Sequence, residues 1–149
     1  MSNKLRWGVL STAKIGREMV IPAMQKSRTG EVVALASRDL QLAQATTSAL
    51  GIPKAYGSYE ELLADPEIDA IYNPLPNHLH VPLTIDAASA GKHVLCEKPI
   101  ALTAKEAAQL LDVQHETGVL ITEAFMVRDN PQWHWVRDRV QDGALGRLV

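Results

Sequence analysis

Residues 5–16 read LRWGVLSTAKIG, an apolar run that ends in a turn of small residues before a helical pattern begins. This order is typical of the first strand, turn and helix of a doubly wound α/β domain, where N–H groups at the helix start bind the pyrophosphate of a dinucleotide. The glycine fingerprint is incomplete, because Ser11 and Ala13 stand where its first two glycines belong. Gly16 remains, and it is expected to let the helix pack closely on the strand. The turn by itself also fits any doubly wound fold, because each needs small residues there.

The pattern that begins at this turn continues along the chain. Short apolar runs alternate with longer helical patterns, and this alternation predicts an α/β fold of the doubly wound (Rossmann) class, a parallel sheet with helices on both faces. Six strands are expected, over residues 5–10, 31–37, 55–56, 70–73, 93–97 and 120–124.

The sequence also marks several helix ends. Ser58 with Glu61, and Thr103 with Glu106, fit the capping box, in which each side chain bonds the other residue's N–H group. Pro22 is expected to divide the first helical stretch. Further caps and stops are expected at Asp39, Gly51, Gly91 and Gly118.

The pattern changes after Ala124. Asn130-Pro131 is expected to start a new helix that Gly143 ends, and a seventh strand is expected to begin at Arg147. The apolar stripe of this helix consists of Trp133, Val136 and Val140.

Composition narrows the class of protein. With 149 residues, 46% of them apolar and 21% charged, and a net charge of −2, the chain fits one ordinary globular domain and neither a disordered nor a membrane protein. Lys and Arg are scattered, so no surface for nucleic acid is expected. The single cysteine, Cys96, excludes an internal disulfide and a multi-cysteine metal site, and no bound metal is expected. Because no secretory segment follows Met1, the expected location is the cytoplasm.

The end of the second predicted strand bears on the choice of cofactor. An acidic residue there accepts hydrogen bonds from the ribose hydroxyls of NAD, but this chain has Ser37-Arg38. The Arg38 guanidinium can pair with a 2′-phosphate, so the residues favour NADP, with NAD still possible. Asp39 comes one place later and is the expected helix cap. The alternative is that Arg38 is only a solvated loop charge.

Three further segments lie at or beyond the carboxyl ends of predicted strands, where open α/β sheets bind ligands. They read YNPLPNHLH over 72–80, CEKPIALT over 96–103 and EAFMVR over 123–128. With the first turn, they resemble the Gfo/Idh/MocA oxidoreductases, and they are most similar to the branch of dihydrodiol dehydrogenases and NADP-dependent D-xylose dehydrogenases. The resemblance implies a Rossmann domain followed by a larger β-sheet domain, with hydride passing between nicotinamide and a sugar or related alcohol.

The resemblance also implies a set of cofactor-binding residues. Residues 73–75 would pass under the nicotinamide ribose, and Glu97 would reach the ribose or the nicotinamide amide. His78 would touch the same face, or would merely be a polar residue in the first turn of a helix. His78 and His80 do not face one another on a helix, so a zinc pair is not expected. The expected set is Ser11, Thr12, Ala13, Lys14, Ile15, Ser37, Arg38, Asn73, Pro74, Leu75, His78, Glu97, Lys98, Glu123 and Arg128.

Lys98 is the expected catalytic residue. Oxidation of an alcohol needs a group that takes the hydroxyl proton while the hydride leaves. A lysine beside the cofactor can take this proton if burial and the positive nicotinamide ring favour its neutral form. In the reverse direction its ammonium would polarise the carbonyl oxygen, with Pro99 holding the backbone extended. Without the resemblance, a lysine before a proline is most often an ordinary surface residue.

The resemblance divides the chain into residues 1–125, the NAD(P)-binding domain, and residues 126–149, the linking helix and first strand of a substrate domain otherwise absent. We therefore interpret the chain as an N-terminal fragment or truncated product of a homo-oligomeric enzyme that acts on a sugar or cyclic diol. Phe125, Trp133 and Val136 should then form an exposed apolar patch that promotes self-association.

Two alternatives stay open. The chain could bind a nucleotide or sense redox state without catalysing a reaction. An S-adenosylmethionine-dependent methyltransferase shares the opening unit, but the second strand lacks the acid that would hold ribose hydroxyls. A methyltransferase also does not account for Glu97-Lys98-Pro99.

Overall fold

The computed structural model describes residues 4–147, and its centre is a parallel sheet of six strands in the order β3-β2-β1-β4-β5-β6. The order reverses between β1 and β4, which is the switch point where doubly wound sheets open a crevice for ligands. The predicted α/β class is therefore confirmed. The strands are β1 Leu5–Leu10, β2 Gly30–Ala36, β3 Lys54–Tyr56, β4 Ala70–Asn73, β5 His93–Glu97 and β6 Ile121–Ala124.

Helices connect these strands. The first helical stretch is π-helical over Gly16–Val20 and continues as α1, Ile21–Met24, with Pro22 in its first turn, so the predicted division at Pro22 is confirmed. The remaining helices are α2 Leu40–Leu50, α3 Tyr59–Ala64, α4 His80–Ser89, α5 Ala104–Thr117 and α6 Pro131–Gln141. No helix within the described residues is long and apolar enough to cross a bilayer.

Alternation along the strands builds a core on each face of the sheet. Val9 of β1 packs on the face covered by α1 and α2, with Ile21 and Ala43. Leu10, the next residue, packs on the opposite face, with Leu62 of α3 and with α4. Helix α5 lies beside α4 on that same side. Two covered faces explain why the inner strands carry apolar residues on both faces.

The two predicted capping boxes are only half correct. The Ser58 hydroxyl accepts the N–H of Glu61 at 3.1 Å, as expected, but the Glu61 carboxylate accepts the N–H of Gly57, at 3.2 Å, instead of that of Ser58. Because the backbone at Ser58 is extended, with ψ 161°, the preceding N–H group lies within reach of the glutamate. The same arrangement begins α5, with Thr103, Glu106 and Leu102.

Some strand ends differ from the predicted ones because distant residues decide them. β2 stops at Ala36, and the N–H of Ser37 instead donates to the Tyr56 carbonyl at 3.1 Å. β6 starts after Leu120, whose N–H donates to Nδ1 of His93 at 3.0 Å. Arg147 is not in a strand, and the rest of the predicted seventh strand lies outside the described residues.

A polar network closes the amino end of the sheet, away from the crevice. The buried Lys92 ammonium donates to the carbonyls of Asp65 and Ile68 at 2.7 and 2.8 Å. Burial alone would raise the pKa of Asp65, but hydrogen bonds from Lys54, from the Glu67 N–H and from Tyr56 outweigh burial and lower that pKa to about 2. These contacts stabilise the fold at the opposite end from the candidate site.

Candidate functional site

The turn after β1 has the shape of a dinucleotide-binding turn although its first glycine is a serine. Ser11 has φ 77°, in the left-handed region that glycine usually occupies. Its N–H donates to the Ala36 carbonyl at 2.8 Å, and its hydroxyl accepts the N–H of Ala13 at 3.2 Å. The side chain therefore bonds within the turn and holds the conformation that the fingerprint assigns to glycine.

The start of the following helix supplies the donors that a pyrophosphate needs. The N–H of Arg17 donates to the Ala13 carbonyl at 3.1 Å, so the amides of Lys14, Ile15 and Gly16 are the first of the helix and have no acceptor within it. The Lys14 side chain is exposed beside them. Nε of Arg17 donates to the Thr12 carbonyl at 2.8 Å, which fixes the rim of the turn. This donor set fits an anionic ligand.

Gly16 does not have the packing role expected of it. A Cβ at this position would lie 3.6 Å from Pro74 Cγ and 3.6 Å from Tyr72 Cε1, which are ordinary contacts. A methyl group would therefore fit here without a clash, so the packing of the helix start against β4 does not require glycine at this position. The same contacts show that the end of β4 lies directly against the turn.

Tyr72 also reaches the neighbouring strand. Its hydroxyl donates to Oε1 of Glu97 at 2.8 Å, and Oε2 of Glu97 accepts the N–H of Lys98 at 3.3 Å. Burial, and then the Glu97 carboxylate, raise the pKa of the Tyr72 phenol, so the phenol stays protonated and donates. Sequence reasoning gave Tyr72 no role; its only signal was a large polar ring at the end of a buried strand.

Asn73, expected under the cofactor ribose, uses its side chain inside the protein. Its amide nitrogen lies 3.2 Å from the His80 carbonyl and 3.4 Å from Oγ1 of Thr84, while its oxygen accepts the N–H of Leu75 at 3.3 Å. The side chain thus sets the path of residues 73–75 from below. His78 is exposed in the short turn Asn77–Leu79 before α4.

The loop after β5 presents Lys98 at the edge of the sheet. The Lys98 side chain is exposed, so the expected burial is not provided by residues 4–147. The Lys98–Pro99 peptide bond is cis. Glu123 of β6, expected near the cofactor, accepts the N–H of Ile100 at 2.9 Å and so supports this loop.

The tip of β2 carries the residues expected to read the cofactor's adenosine. Ser37 is buried and its hydroxyl accepts the Asp39 N–H at 3.3 Å, while Arg38 is exposed. Burial raises the pKa of the Tyr59 phenol, and the charge and hydrogen bond of Arg38 partly offset that rise. Arg38 and Tyr59 therefore lie together at this corner. Asp39 caps α2 through the N–H of Leu42 at 3.1 Å, as predicted.

The outermost part of the expected set lies beyond β6. Arg128 is exposed in the turn Met126–Asp129, and its carbonyl contacts Nε2 of His134. The structure thus brings together residues 11–16, 73–75 and 97–98, with Arg38 and Arg128 beyond the ends of strands on either side.

Nucleophilic thiol chemistry does not fit this edge. Burial raises the pKa of the Cys96 thiol to about 12, so a nucleophilic thiolate does not form near neutral pH. Among residues 4–147 no group of three or more His, Cys, Asp or Glu side chains is placed to hold a metal ion.

Comparison with known proteins agrees with this geometry. The family model described as an oxidoreductase family with an NAD-binding Rossmann fold (GFO_IDH_MocA) matches residues 5–125. The chain is 53% identical over 144 residues to an uncharacterised oxidoreductase of Rhizobium meliloti, covering 97% of this chain and 43% of that protein. It is 51% identical over 127 residues to a D-xylose 1-dehydrogenase (NADP(+)) of Haloferax volcanii, covering 85% of this chain and 39% of that protein.

A solved structure shows the same architecture. A 3-ketoreductase from Actinomadura kijaniata, crystallised with NADP and TDP-benzene, superposes with a TM-score of 0.89 at 37% identity, over 95% of this chain and 43% of that one. The chain thus spans less than half the length of these relatives. It belongs to the Gfo/Idh/MocA oxidoreductase family, and residues 5–125 match the family's NAD-binding Rossmann domain.

Proposed function

We propose that this chain is the cofactor-binding part of an NADP-dependent dehydrogenase or reductase whose substrate is a sugar or cyclic diol. The observation that carries the proposal is the meeting of three segments at the switch point of the sheet. The turn over residues 11–16, the main chain over 73–75 and the Glu97-Lys98 pair lie at the carboxyl ends of the adjacent strands β1, β4 and β5. This is the crevice in which a dinucleotide binds.

The residues present fit such a cofactor. The first amides of the helix after Ser11 would hold the pyrophosphate, and the Tyr72–Glu97 pair would lie below the nicotinamide end. When bound, NADP accepts or supplies the hydride. Lys98 supplies the proton chemistry: its amine accepts the substrate hydroxyl proton, and its ammonium polarises a carbonyl oxygen in the reverse direction. Because Lys98 is exposed here, substrate and cofactor are needed to exclude water from it.

The substrate class rests on the names of the relatives. These include a D-xylose dehydrogenase, a 1,5-anhydro-D-fructose reductase of Ensifer adhaerens and trans-1,2-dihydrobenzene-1,2-diol dehydrogenases of vertebrates. All these names describe a carbon that carries a hydroxyl or a carbonyl group.

We also propose that residues 126–149 begin a substrate domain, because the family model ends at residue 125 and α6 packs mainly on the turn that precedes it.

Arg38 is the proposed origin of the preference for NADP. Its exposed guanidinium at the tip of β2 can make two hydrogen bonds to a 2′-phosphate, and Tyr59 lies beside it. NADH has no phosphate at this position, so Arg38 contributes less to its binding.

Titration of the chain with NADPH and with NADH, followed by cofactor fluorescence, tests the cofactor proposal. Arg38→Ala should raise the Kd for NADPH at least about tenfold, a loss of about 1.4 kcal/mol, and should change the Kd for NADH much less. Arg28→Ala is the matched control, since Arg28 is exposed at the amino end of β2. Equal losses for both cofactors would contradict the phosphate role, and no binding of either would contradict the dinucleotide site.

Oxidation of D-xylose and of a cyclic trans-diol with NADP, by a protein in which this domain is joined to a substrate domain, tests the reaction. Lys98→Met should reduce any turnover by about 100-fold or more while NADPH still binds, because only the proton transfer is lost. Lys105→Met, an exposed lysine of α5, is the control. Tight NADPH binding with turnover unchanged by Lys98→Met would reject Lys98 as the acid-base residue.

A further inference from the structure

His80 makes two contacts that neither the sequence pattern nor the proposed reaction uses. It is the first residue of α4, and only 1% of it is exposed. Its Nδ1 lies 2.7 Å from the carbonyl oxygen of Pro99, and its Nε2 lies 2.7 Å from the carbonyl oxygen of Leu75. One buried ring therefore joins the loop after β4 to the loop after β5.

The chemistry of these two partners decides the state of the ring. A carbonyl oxygen only accepts hydrogen bonds, so each ring nitrogen must carry a proton in order to bond it. A neutral imidazole carries one proton, and its second nitrogen would then turn a lone pair toward a carbonyl lone pair at 2.7 Å. Only the doubly protonated imidazolium satisfies both contacts. Charge-assisted hydrogen bonds of this kind are also stronger than neutral ones.

The two loops joined by the His80 ring are the loops that carry the candidate site, and the site requires a fixed distance between them. Leu75 ends the main-chain segment that passes beside the first turn, and its N–H is held by Asn73. Pro99 directly follows Lys98. The loop of Lys98 is held on its other sides by Tyr72 through Glu97 and by Glu123 through Ile100. Those two contacts tie the loop to strands, whereas the ring ties it to the segment over residues 73–75.

We propose that His80, as an imidazolium, is a positioning residue that sets the distance between Lys98 and the cofactor-binding segment over residues 73–75. The inference rests on the proposed function for the role of that distance. The protonation of the ring is inferred from its two contacts with carbonyl oxygens and is independent of the proposed function. His80 itself touches neither substrate nor cofactor, because it lies buried beneath both loops.

The first measurement is a long-range ¹H–¹⁵N NMR spectrum of the unmodified chain with labelled histidine at neutral pH. Both ring nitrogens of His80, assigned by comparison with the variants below, should carry a proton. A ring with one protonated and one bare nitrogen would overturn the imidazolium. This experiment needs no cofactor to bind, and the variants serve only to assign the His80 signals.

Two isosteric variants separate positioning from support of the fold. His80→Asn places an amide N–H near Nδ1 and keeps the contact with Pro99, whereas His80→Gln places it near Nε2 and keeps the contact with Leu75. The accessibility of the Lys98 amine is then measured by reductive methylation. The extent of methylation is determined by peptide mass spectrometry with and without NADPH, and Lys105 is the internal reference. NADPH should protect Lys98 in the unmodified chain and in His80→Asn. In His80→Gln the protection should fall at least about threefold, because the loop is released.

The Kd for NADPH completes the test. His80→Gln should bind NADPH within about threefold of the unmodified chain, while His80→Asn, which releases Leu75, should bind it more weakly. Equal changes in both variants would overturn the positioning role and leave a structural one. If NADPH binds the unmodified chain without protecting Lys98, the proposed function fails instead, and the NMR result still decides the state of His80.

Discussion

Ser11 shows how one residue can replace the first glycine of the fingerprint. A residue with a Cβ at φ 77° costs about 1–2 kcal/mol relative to glycine, and the hydrogen bond from the Ala13 N–H to the Ser11 hydroxyl offsets part of this cost. The same hydrogen bond uses the Ala13 N–H group, which would be free to donate to a phosphate if residue 11 were glycine. The serine therefore fixes the conformation of the turn, and the turn has one fewer amide donor for a phosphate.

Substitution of Ser11 separates the two effects. Ser11→Ala keeps the strained backbone and loses the hydroxyl, whereas Ser11→Gly loses the hydroxyl and removes the strain. We expect Ser11→Gly to be more stable than Ser11→Ala by about 1 kcal/mol or more, measured by urea unfolding. Equal stability of the two variants would show that the backbone at this position is relaxed.

At this scale the sequence indicated the segments of the site better than the orientation of their side chains. Residues 11–16, 73–75 and 97–98 were expected together and lie together. The inward turn of Asn73, the Tyr72–Glu97 hydrogen bond and the bridging ring of His80 were not expected. These contacts join residues up to 25 apart in the chain, and no local pattern specifies which of two faces a side chain at a strand end will choose.

Among the elements, β1 is paired on both sides, with β2 and with β4, and it is also closely packed on one face. A Cβ at Gly8 would lie 2.9 Å from Leu62 Cδ2 and 3.2 Å from Ile68 Cδ1, so α3 and the loop after it pack directly on the strand. At Gly16, the glycine that the fingerprint retains, the nearest atoms to an added Cβ lie at 3.6 Å, in ordinary contact.

A pair of alanine variants tests whether close packing requires glycine at position 8 and not at position 16. Gly8→Ala should reduce the free energy of unfolding by about 1–3 kcal/mol, because the added methyl group must displace core side chains. Gly16→Ala should change it by no more than about 0.5 kcal/mol. Urea unfolding monitored by tryptophan fluorescence measures both. A larger loss for Gly16→Ala than for Gly8→Ala would contradict the packing described above.

The existence and order of elements were predictable because both faces of the sheet are covered, so every inner strand is a short apolar run between helical patterns. β1, β4 and β5 have the predicted bounds. The ends of β2 and β6 differ because the N–H groups of Ser37 and Leu120 bond residues far along the chain. Local sequence carries no information about such partners.

Large exposed apolar side chains are concentrated near α6. Helix α6 has no buried residue, and large apolar side chains around it are exposed, namely Phe125, Met126, Trp133, Trp135 and Leu145. The expected exposure is therefore confirmed for Phe125 and Trp133, whereas Val136 is partly buried. An exposed apolar surface of this kind favours association with another surface.

Self-association of the chain stays a prediction. In sedimentation velocity runs the mean sedimentation coefficient should rise with concentration, and Met126→Gln with Trp135→Gln should reduce that rise. Leu120→Gln is the control, because Leu120 is also well exposed but lies just before β6, outside this patch. A single monomeric species at high concentration in the unmodified chain would refute the prediction.

The central place of β1 in the sheet also has a consequence during synthesis. β1 emerges from the ribosome first, but its partners arrive at very different times, since Trp7 pairs with Val32 on one side and with Ala70 on the other. A nascent chain that has completed β1, β2 and β3 has an open edge on β1 and lacks the Tyr72 ring beneath its first turn. Such non-local pairing slows folding. The cofactor crevice therefore forms only in the last stage of assembly, after β4 and β5 have joined, and a partly synthesised chain has no complete site with which to bind a nucleotide.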